Sequence, residues 1–159
     1  MKHSIIIRTL NEETYLQELI NSINKQVIPS DDKIEIIIVD SGSTDKTLEI
    51  AKKNNLKIVF IKKENFSFGR SLNIGCSESS GELLVFISGH CIPVGSMWLS
   101  NLCSSLKDET SDYNYGRQVG VSKSYFSEKQ HFKKFFPQNN ETNFFNGFFC
   151  NNANSAIKK

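Results

Sequence analysis

The chain has 159 residues, of which 38% are hydrophobic and 23% charged, and its formal net charge is +2. This length is enough for one domain that buries roughly 70% of the surface of the unfolded chain. The small charge excludes a typical nucleic-acid-binding domain, and no apolar run approaches the ~20 residues of a membrane-spanning helix.

The first two thirds of the chain alternate between short apolar runs and amphipathic segments. The apolar runs predict strands at residues 3–9, 34–39, 57–61 and 83–87. Apolar residues at three-to-four spacing predict helices at residues 12–25, about 44–54, 69–79 and 96–106. Asn11 is predicted to cap the first helix, and Ser43 or Thr44 the second. This alternation predicts an α/β fold, a Rossmann-like three-layer α/β/α sandwich with a mostly parallel central sheet.

The last third of the chain has a different composition, with phenylalanines crowded between residues 126 and 149. We predict a short strand at residues 115–121, a helix at 127–136, and one more strand with a helix start within 146–159. The phenylalanine rings either fill the chain's own core or form a contact with a second copy. Self-association through this segment is therefore one of two open alternatives.

Polar side chains follow three of the predicted strands. Thr9 and Asn11 follow the first, Asp40 and Ser41 the second, and Ser88-Gly89-His90 the fourth. In open parallel sheets the carboxyl ends of the strands border the ligand crevice, so these residues are predicted to converge on one site. The glycine-rich motifs of dinucleotide-binding and P-loop proteins are missing, as is the G-x-S-x-G of α/β-hydrolases.

Asp40 has two interpretations on the residues alone. A carboxylate at a strand end can accept hydrogen bonds from a nucleobase N–H or a ribose hydroxyl. It can equally cap the turn that follows, as aspartate often does. Both alternatives stay open.

Several motifs resemble those of family 2 glycosyltransferases, which have the GT-A fold. VDSGSTDKT at residues 39–47 is similar to the family's V-D-D-G-S-T-D-x-T, and IIIRTLNEE at 5–13 to its opening strand with T-x-N-E. Arg70, Asn73 and Gly75 resemble the arginine, asparagine and glycine of the helix that precedes the family's metal-site strand. The resemblance covers nearly all of residues 3–159.

The resemblance implies transfer of a sugar from a nucleoside-diphosphate donor, of the UDP or dTDP type, to a hydroxyl of a saccharide or lipid-linked acceptor. Such reactions build surface polysaccharides or glycolipids. The donor-binding residues that it implies are Thr9, Asn11, Glu12, Asp40, Ser41, Arg70, Ser88, Gly89 and His90. Asp40 is expected to read a pyrimidine N3–H, and Arg70 to lie near the nucleotide.

The sequence departs from the family at Ser88-Gly89-His90, where a D-x-D motif is usual. His90 takes the place of the aspartate that contacts a divalent ion on the donor diphosphate. Three interpretations stay open: a ligand to a metal, Mn²⁺ rather than Mg²⁺; a protonated donor to the phosphates, without a metal; or a loop histidine without a ligand. The S-x-H-C-x-P pattern, together with Gly116-Arg117-Gln118, is similar to a rhamnosyltransferase-like branch of the family.

The final segment, NANSAIKK at residues 152–159, resembles the one that precedes the family's acidic catalytic motif. The general base is therefore expected beyond Lys159, and the chain is expected to be shortened at its C-terminus. We divide it into a nucleotide-binding half at 1–107 and an incomplete acceptor-side half at 108–159. The alternative function is a non-catalytic module that binds a nucleotide sugar. An unrelated Rossmann-like enzyme is disfavoured because RTLNEE lacks a glycine-rich loop.

Cellular location is predicted from the cysteines and the family. The four cysteines contain no C-x-x-C pair and no zinc spacing, which favours free thiols in the cytoplasm. The resemblance adds peripheral association with the inner face of the membrane, where lipid-linked acceptors lie.

Overall fold

The computed structural model describes residues 1–121, 124–136 and 152–159. Within them the strands are β1 (Lys2–Thr9), β2 (Lys33–Asp40), β3 (Lys57–Phe60), β4 (Leu83–Ser88), β5 (Tyr113–Tyr115) and β6 (Asn154–Lys158). The helices are α1 (Leu16–Asn24), α2 (Thr47–Lys53), α3 (Phe68–Ser77), α4 (Trp98–Lys107) and α5 (Phe126–Phe135). None of the described helices combines the length and apolar character needed to cross a membrane.

The strands form one sheet in the order β3-β2-β1-β4-β6-β5. The pairs β1–β2, β1–β4 and β2–β3 are parallel, whereas β6 runs antiparallel to both β4 and β5. All six residues of β4 are buried, as expected of a strand covered on both faces. One face packs against α1, α2 and α4, and the other against α3. The predicted mostly parallel three-layer sandwich is confirmed.

Two predicted helix starts are wrong. Helix α1 begins at Leu16 rather than at residue 12, because Asn11 adopts a left-handed backbone (φ 57°) and does not cap it. Helix α2 begins at Thr47, and neither Ser43 nor Thr44 caps it. The Asp45 carboxylate accepts a hydrogen bond from the Thr47 N–H instead.

The C-terminal third also differs from its prediction. The strand predicted at 115–121 is Tyr113–Tyr115, and the helix predicted at 127–136 is α5. The predicted last strand is present as β6, but residues 152–159 contain no helix start. Of the described phenylalanines, Phe126 is 77% exposed and Phe136 is buried. Phe132 is half-buried and Phe135 is exposed, whereas Phe144, Phe145, Phe148 and Phe149, with Cys150, lie outside the described residues.

Glycine at position 75 allows α3 to lie directly on the sheet. A Cβ there would overlap the Cγ2 atom of Ile6 and lie 3.1 Å from the Cγ2 atom of Val39. Both side chains are buried, so neither can move away freely. The glycine that resembles one of the family's helix residues therefore has a packing role here.

We expect Gly75→Ala to lower the free energy of unfolding by about 1–3 kcal/mol, because overpacking outweighs the gain in helix propensity. Urea denaturation measures the change. Gly69→Ala is the matched control, because Gly69 lies in the same helix and a Cβ there would meet nothing within 4 Å. Equal stability of the two variants would contradict the packing role.

Candidate functional site

The carboxyl ends of β1, β2 and β4 lie side by side at one edge of the sheet. Thr9 of β1 pairs with Asp40 of β2, and Arg8 of β1 pairs with Ser88 of β4. The parallel register therefore brings together the three groups of polar residues that the sequence places at strand ends. This is the edge at which the sequence predicts a ligand crevice.

Asp40 is fully buried and its carboxylate is saturated with hydrogen bonds from its own chain. Oδ1 accepts from the backbone N–H groups of Gly42 and Ser43, each at 2.9 Å. Oδ2 accepts from the hydroxyls of Thr9 at 2.9 Å and Ser43 at 2.5 Å. Four bonds fill the acceptor capacity of a carboxylate. This geometry favours the turn-capping interpretation of Asp40, and its contact with a nucleobase stays a prediction.

Hydrogen bonds also join the loop after β1 to the loop after β2. The Asn11 amide oxygen accepts from the Thr44 N–H at 2.8 Å, and the Asn11 N–H donates to the Ser43 hydroxyl at 2.9 Å. The Ser41 hydroxyl donates to the carbonyl oxygen of Thr9. These predicted site residues thus build the shape of the crevice, and their side chains are already engaged.

A histidine–carboxylate pair lies beside these loops. His90 Nδ1 is 2.9 Å from Glu12 Oε1, and the Glu12 side chain is only 16% exposed whereas that of His90 is 59% exposed. The hydrogen bond with Glu12 raises the pKa of His90 above its ordinary value, against the effect of burial. Because Nδ1 is used, Nε2 is the ring atom available to a ligand.

Gly89 makes this pair sterically feasible. A Cβ at Gly89 would lie 2.8 Å from Glu12 Cγ and 3.1 Å from the carbonyl oxygen of Arg8. A larger residue would push the loop that carries Glu12 away from the end of β4. Glycine is therefore the residue that lets Glu12 reach His90.

Arg8 is the functional candidate that the sequence reasoning missed. Its Nη2 atom is 3.4 Å from the Ser88 hydroxyl, and its guanidinium carbon lies 4.9 Å from the centre of the Phe68 ring. Nε and Nη1 are shielded from solvent and have no hydrogen-bond partner in the described part of the chain. Desolvation lowers the pKa of the guanidinium. The available signal was a charge directly after the apolar run of three isoleucines in β1, one residue before the strand ends.

Arg70 lies apart from these side chains. It is exposed in the first turn of α3, where its Nη1 donates to the carbonyl oxygen of Asn65 at 2.9 Å. Its backbone N–H donates to Ser67, the residue that caps the helix. The structure therefore places Arg70 against its own loop, and its contact with a nucleotide stays a prediction.

The segment after β5 reaches the same edge, because β5 and β4 run in the same direction. Asn154 at the start of β6 holds this segment: its backbone carbonyl accepts from the Gly116 N–H, and its Nδ2 donates to the Arg117 carbonyl. Its Oδ1 accepts from the Trp98 indole at 2.8 Å. The two late motifs, Gly116-Arg117-Gln118 and NANSAIKK, thus meet next to the end of β4.

The donor atoms at this edge do not fit a metal site made by the protein alone. In the described ranges no group of three or more His, Cys, Asp or Glu side chains could hold a metal ion. Ions such as Mg²⁺ and Mn²⁺ prefer several oxygen ligands, but here the one carboxylate near His90 is hydrogen-bonded to it.

Comparison with known proteins identifies the family. The model of the family described as Glycosyl transferase family 2 matches residues 4–159. Poly(ribitol-phosphate) beta-N-acetylglucosaminyltransferase TarS of Staphylococcus aureus is 36% identical over 91 residues, which are 55% of this chain and 16% of TarS.

Solved structures agree with this match. The crystal structure of S. aureus TarS 1–349 in complex with UDP-GlcNAc has a TM-score of 0.63 and 30% identity, over 79% of this chain and 36% of that one. Glucosyl-3-phosphoglycerate synthase from Mycobacterium tuberculosis, in complex with Mn²⁺, UDP-glucose and phosphoglyceric acid, has a TM-score of 0.57 and 26% identity, over 70% and 42% of the two chains.

The chain therefore spans 16% of its curated relative's length, and 36% and 42% of these two crystallised chains. Its sheet and flanking helices match the GT-A glycosyltransferase structures, which confirms the predicted fold. The family match extends over all three strand ends that form the crevice. The chain belongs to glycosyl transferase family 2.

Proposed function

We propose that this chain binds a nucleoside-diphosphate sugar and serves in transfer of the sugar to a hydroxyl of a saccharide or lipid-linked acceptor. The observation that carries the proposal is the meeting of the carboxyl ends of β1, β2 and β4, where Arg8 and the Glu12–His90 pair lie. TarS, a family member of similar structure, binds UDP-GlcNAc. We therefore propose a UDP-type donor and a role in surface polysaccharide synthesis.

We divide the residues at the strand ends into two groups: those whose side chains hydrogen-bond within the loops, and those expected to face the ligand. Thr9, Asn11, Asp40 and Ser41 hold the two loops that enclose the base. Ser88, Gly89 and the Glu12–His90 pair lie where the diphosphate of the donor is expected, with His90 Nε2 facing the ligand. Arg70 requires a change of rotamer to reach the nucleotide, because its guanidinium now contacts Asn65.

The role of His90 decides how the site relates to metal ions. Mn²⁺ accompanies the donor in the M. tuberculosis synthase, and of the two common ions it suits an imidazole ligand better than Mg²⁺ does. A metal-ligand role for His90 would use Nε2 of a neutral imidazole, and the contact of Nδ1 with Glu12 suits that form as well as the protonated one. Because the described residues offer no group of further metal ligands, we propose that His90 instead donates a hydrogen bond from Nε2 to the phosphates.

A binding measurement tests the proposed function. We expect UDP and UDP-GlcNAc to bind in titration calorimetry, and His90→Ala to weaken UDP binding about 10-fold because one charge-assisted hydrogen bond is lost. His131→Ala is the matched control, because His131 is an exposed histidine on α5 whose described ring contacts are with Phe132 and Phe135 of the same helix. Failure of the wild-type chain to bind either nucleotide would refute the proposal.

Turnover distinguishes the enzyme from the alternative, a non-catalytic nucleotide-sugar-binding module. The missing carboxylates at Ser88-Gly89-His90 favour that alternative. Acceptor-dependent release of UDP from UDP-GlcNAc supports the transferase, and binding without release supports the module. For the cellular location, the described cysteines Cys76, Cys91 and Cys103 are free, which suits the cytoplasm.

A further inference from the structure

We propose that Arg8 binds the diphosphate of the donor and takes the place of the divalent ion that a D-x-D motif would hold. This inference rests on the proposed function and adds a residue and a charge mechanism to it. It predicts a nucleotide site that works without metal.

Among the described residues, the Arg8 guanidinium is a partly shielded cation without a counter-ion. Nε and Nη1 are out of contact with solvent and lack a partner within the described residues, and the contact of Nη2 with Ser88 is long at 3.4 Å. In the described structure the Arg8 guanidinium forms no salt bridge, although it offers five N–H donors. Arg8 is half-buried, and leaving two of its N–H-bearing atoms shielded and unpaired is costly, so we infer that a ligand completes them.

The position of Arg8 indicates which ligand that is. Arg8 is the next-to-last residue of β1, and its side chain lies on the face of Ile6 and α3, next to the ends of β2 and β4. In sheets of this type ligands bind outside the carboxyl ends of the strands. The guanidinium fork matches phosphate oxygens in a bidentate manner, which a compact ammonium cannot do.

Phe68 controls access to the guanidinium. Its ring faces Arg8 at 4.9 Å, yet the side chain is 65% exposed and belongs to the first turn of α3. A cation–π contact holds the guanidinium in place while no anion is bound. Because the ring lies at the surface, it can swing outward and leave the diphosphate in its place.

The missing carboxylates at residues 88–90 favour an arginine over a metal ion as the group that binds the diphosphate. A D-x-D motif supplies two negative charges that attract a divalent cation, and here Ser88-Gly89-His90 supplies none. Arg8 places one fixed positive charge directly at the edge instead. The fixed charge of Arg8 and the missing carboxylates both lower the affinity of this edge for a divalent ion.

The test is titration calorimetry with UDP, inorganic pyrophosphate and uridine, each in EDTA and in Mn²⁺. We expect wild-type affinity for UDP to change less than about threefold between EDTA and Mn²⁺. Arg8→Met is expected to weaken UDP and pyrophosphate about 10- to 100-fold and to leave uridine binding unchanged. Lys133→Met, in an exposed lysine on α5, is the charge control. Pyrophosphate binding without any UDP binding would mark a general anion site and contradict the donor role.

Urea unfolding of Arg8→Met and wild type shows whether a loss of binding comes from a loss of stability. Because it removes an unpaired buried charge, Arg8→Met is expected to unfold at the same urea concentration as wild type or a higher one. A clear loss of stability would show that Arg8 has a structural partner and would overturn the proposal. UDP binding that needs Mn²⁺ and is unaffected by Arg8→Met would overturn this inference alone. Absence of UDP binding by the wild type under both conditions would refute the proposed function instead.

Discussion

Asp40→Ala is expected to lower the free energy of unfolding by about 3 kcal/mol and to weaken UDP binding at least about 10-fold. The variant leaves four donors without their acceptor: two backbone N–H groups, at Gly42 and Ser43, and the hydroxyls of Thr9 and Ser43. Unsatisfied buried donors cost about 1–3 kcal/mol each before relaxation. Urea denaturation and calorimetry measure the two effects.

Two further variants separate the turn-capping role of Asp40 from a direct contact with the base. Ser43→Ala removes one of the four bonds and the acceptor of the Asn11 N–H, and is expected to cost about 1–2 kcal/mol. Asp40→Asn replaces one acceptor oxygen by an NH₂ group that faces hydroxyl and N–H donors, so it should also destabilise the loop. Full stability of Asp40→Asn with lost UDP binding would instead favour the base contact.

Asp32→Ala is expected to have the largest effect on stability, about 3–5 kcal/mol at neutral pH. The Asp32 side chain is 7% exposed and accepts from three groups: the N-terminal ammonium at 2.8 Å, His3 Nε2 at 2.8 Å and Lys107 Nζ at 2.5 Å. Its removal leaves positive charge at the amino edge of the sheet, where His3 is fully buried and its Nδ1 has no described partner.

The pH dependence of this effect follows from the pKa of Asp32. Burial alone would raise that pKa, but the hydrogen bonds from His3, Lys107 and the N-terminus hold it well below its ordinary value of 3.8. A depressed folded-state pKa stabilises the fold above the unfolded value, and the stabilisation is lost as the pH falls below it. The difference between wild type and Asp32→Ala should therefore be full at neutral pH and shrink below about pH 4.

Asp31→Ala is the matched control for Asp32→Ala. The neighbouring carboxylate of Asp31 is exposed, and its hydrogen bond with the Ser30 hydroxyl is long at 3.4 Å. We expect this variant to differ from wild type by less than about 0.5 kcal/mol. If the two alanine variants had equal stability at pH 7, the cluster around Asp32 would not stabilise the fold.

Gly89 and Gly75 show how the fold assigns roles to residues that the family resemblance only marks. Gly75 is a packing residue, because a Cβ there would overlap Ile6. Gly89 has no side chain, which leaves space for Glu12 to approach the end of β4 and contact His90. The histidine that replaces a D-x-D aspartate is thus built into a carboxylate pair, which favours a specific role over a chance substitution.

The sequence predicted the central elements well, and the loops poorly. Strands β1, β2 and β4 lie within a residue or so of their predicted positions because unbroken apolar runs have one stable place, the buried sheet. The starts of α1 and α2 were wrong because Asn11 and Ser43 bond across to the neighbouring loop rather than to their own helices. Capping rules consider one helix at a time and omit such partners.

The sequence by itself determined the fold class, the family resemblance and the edge of the sheet at which polar residues gather. Those follow from local periodicity and from motifs that are contiguous in the chain. Only the tertiary structure decided which of these polar groups already have hydrogen-bond or charge partners within the chain. It showed that Asp40 is saturated, that His90 is paired with Glu12, and that Arg8 has no counter-ion among the described residues. The physical reason is that hydrogen bonding and desolvation depend on neighbours in space. The contacts of Thr9 with Asp40, Glu12 with His90 and Arg8 with Ser88 join residues 31 to 80 positions apart, and only the bonds of Asp40 to its own turn are local.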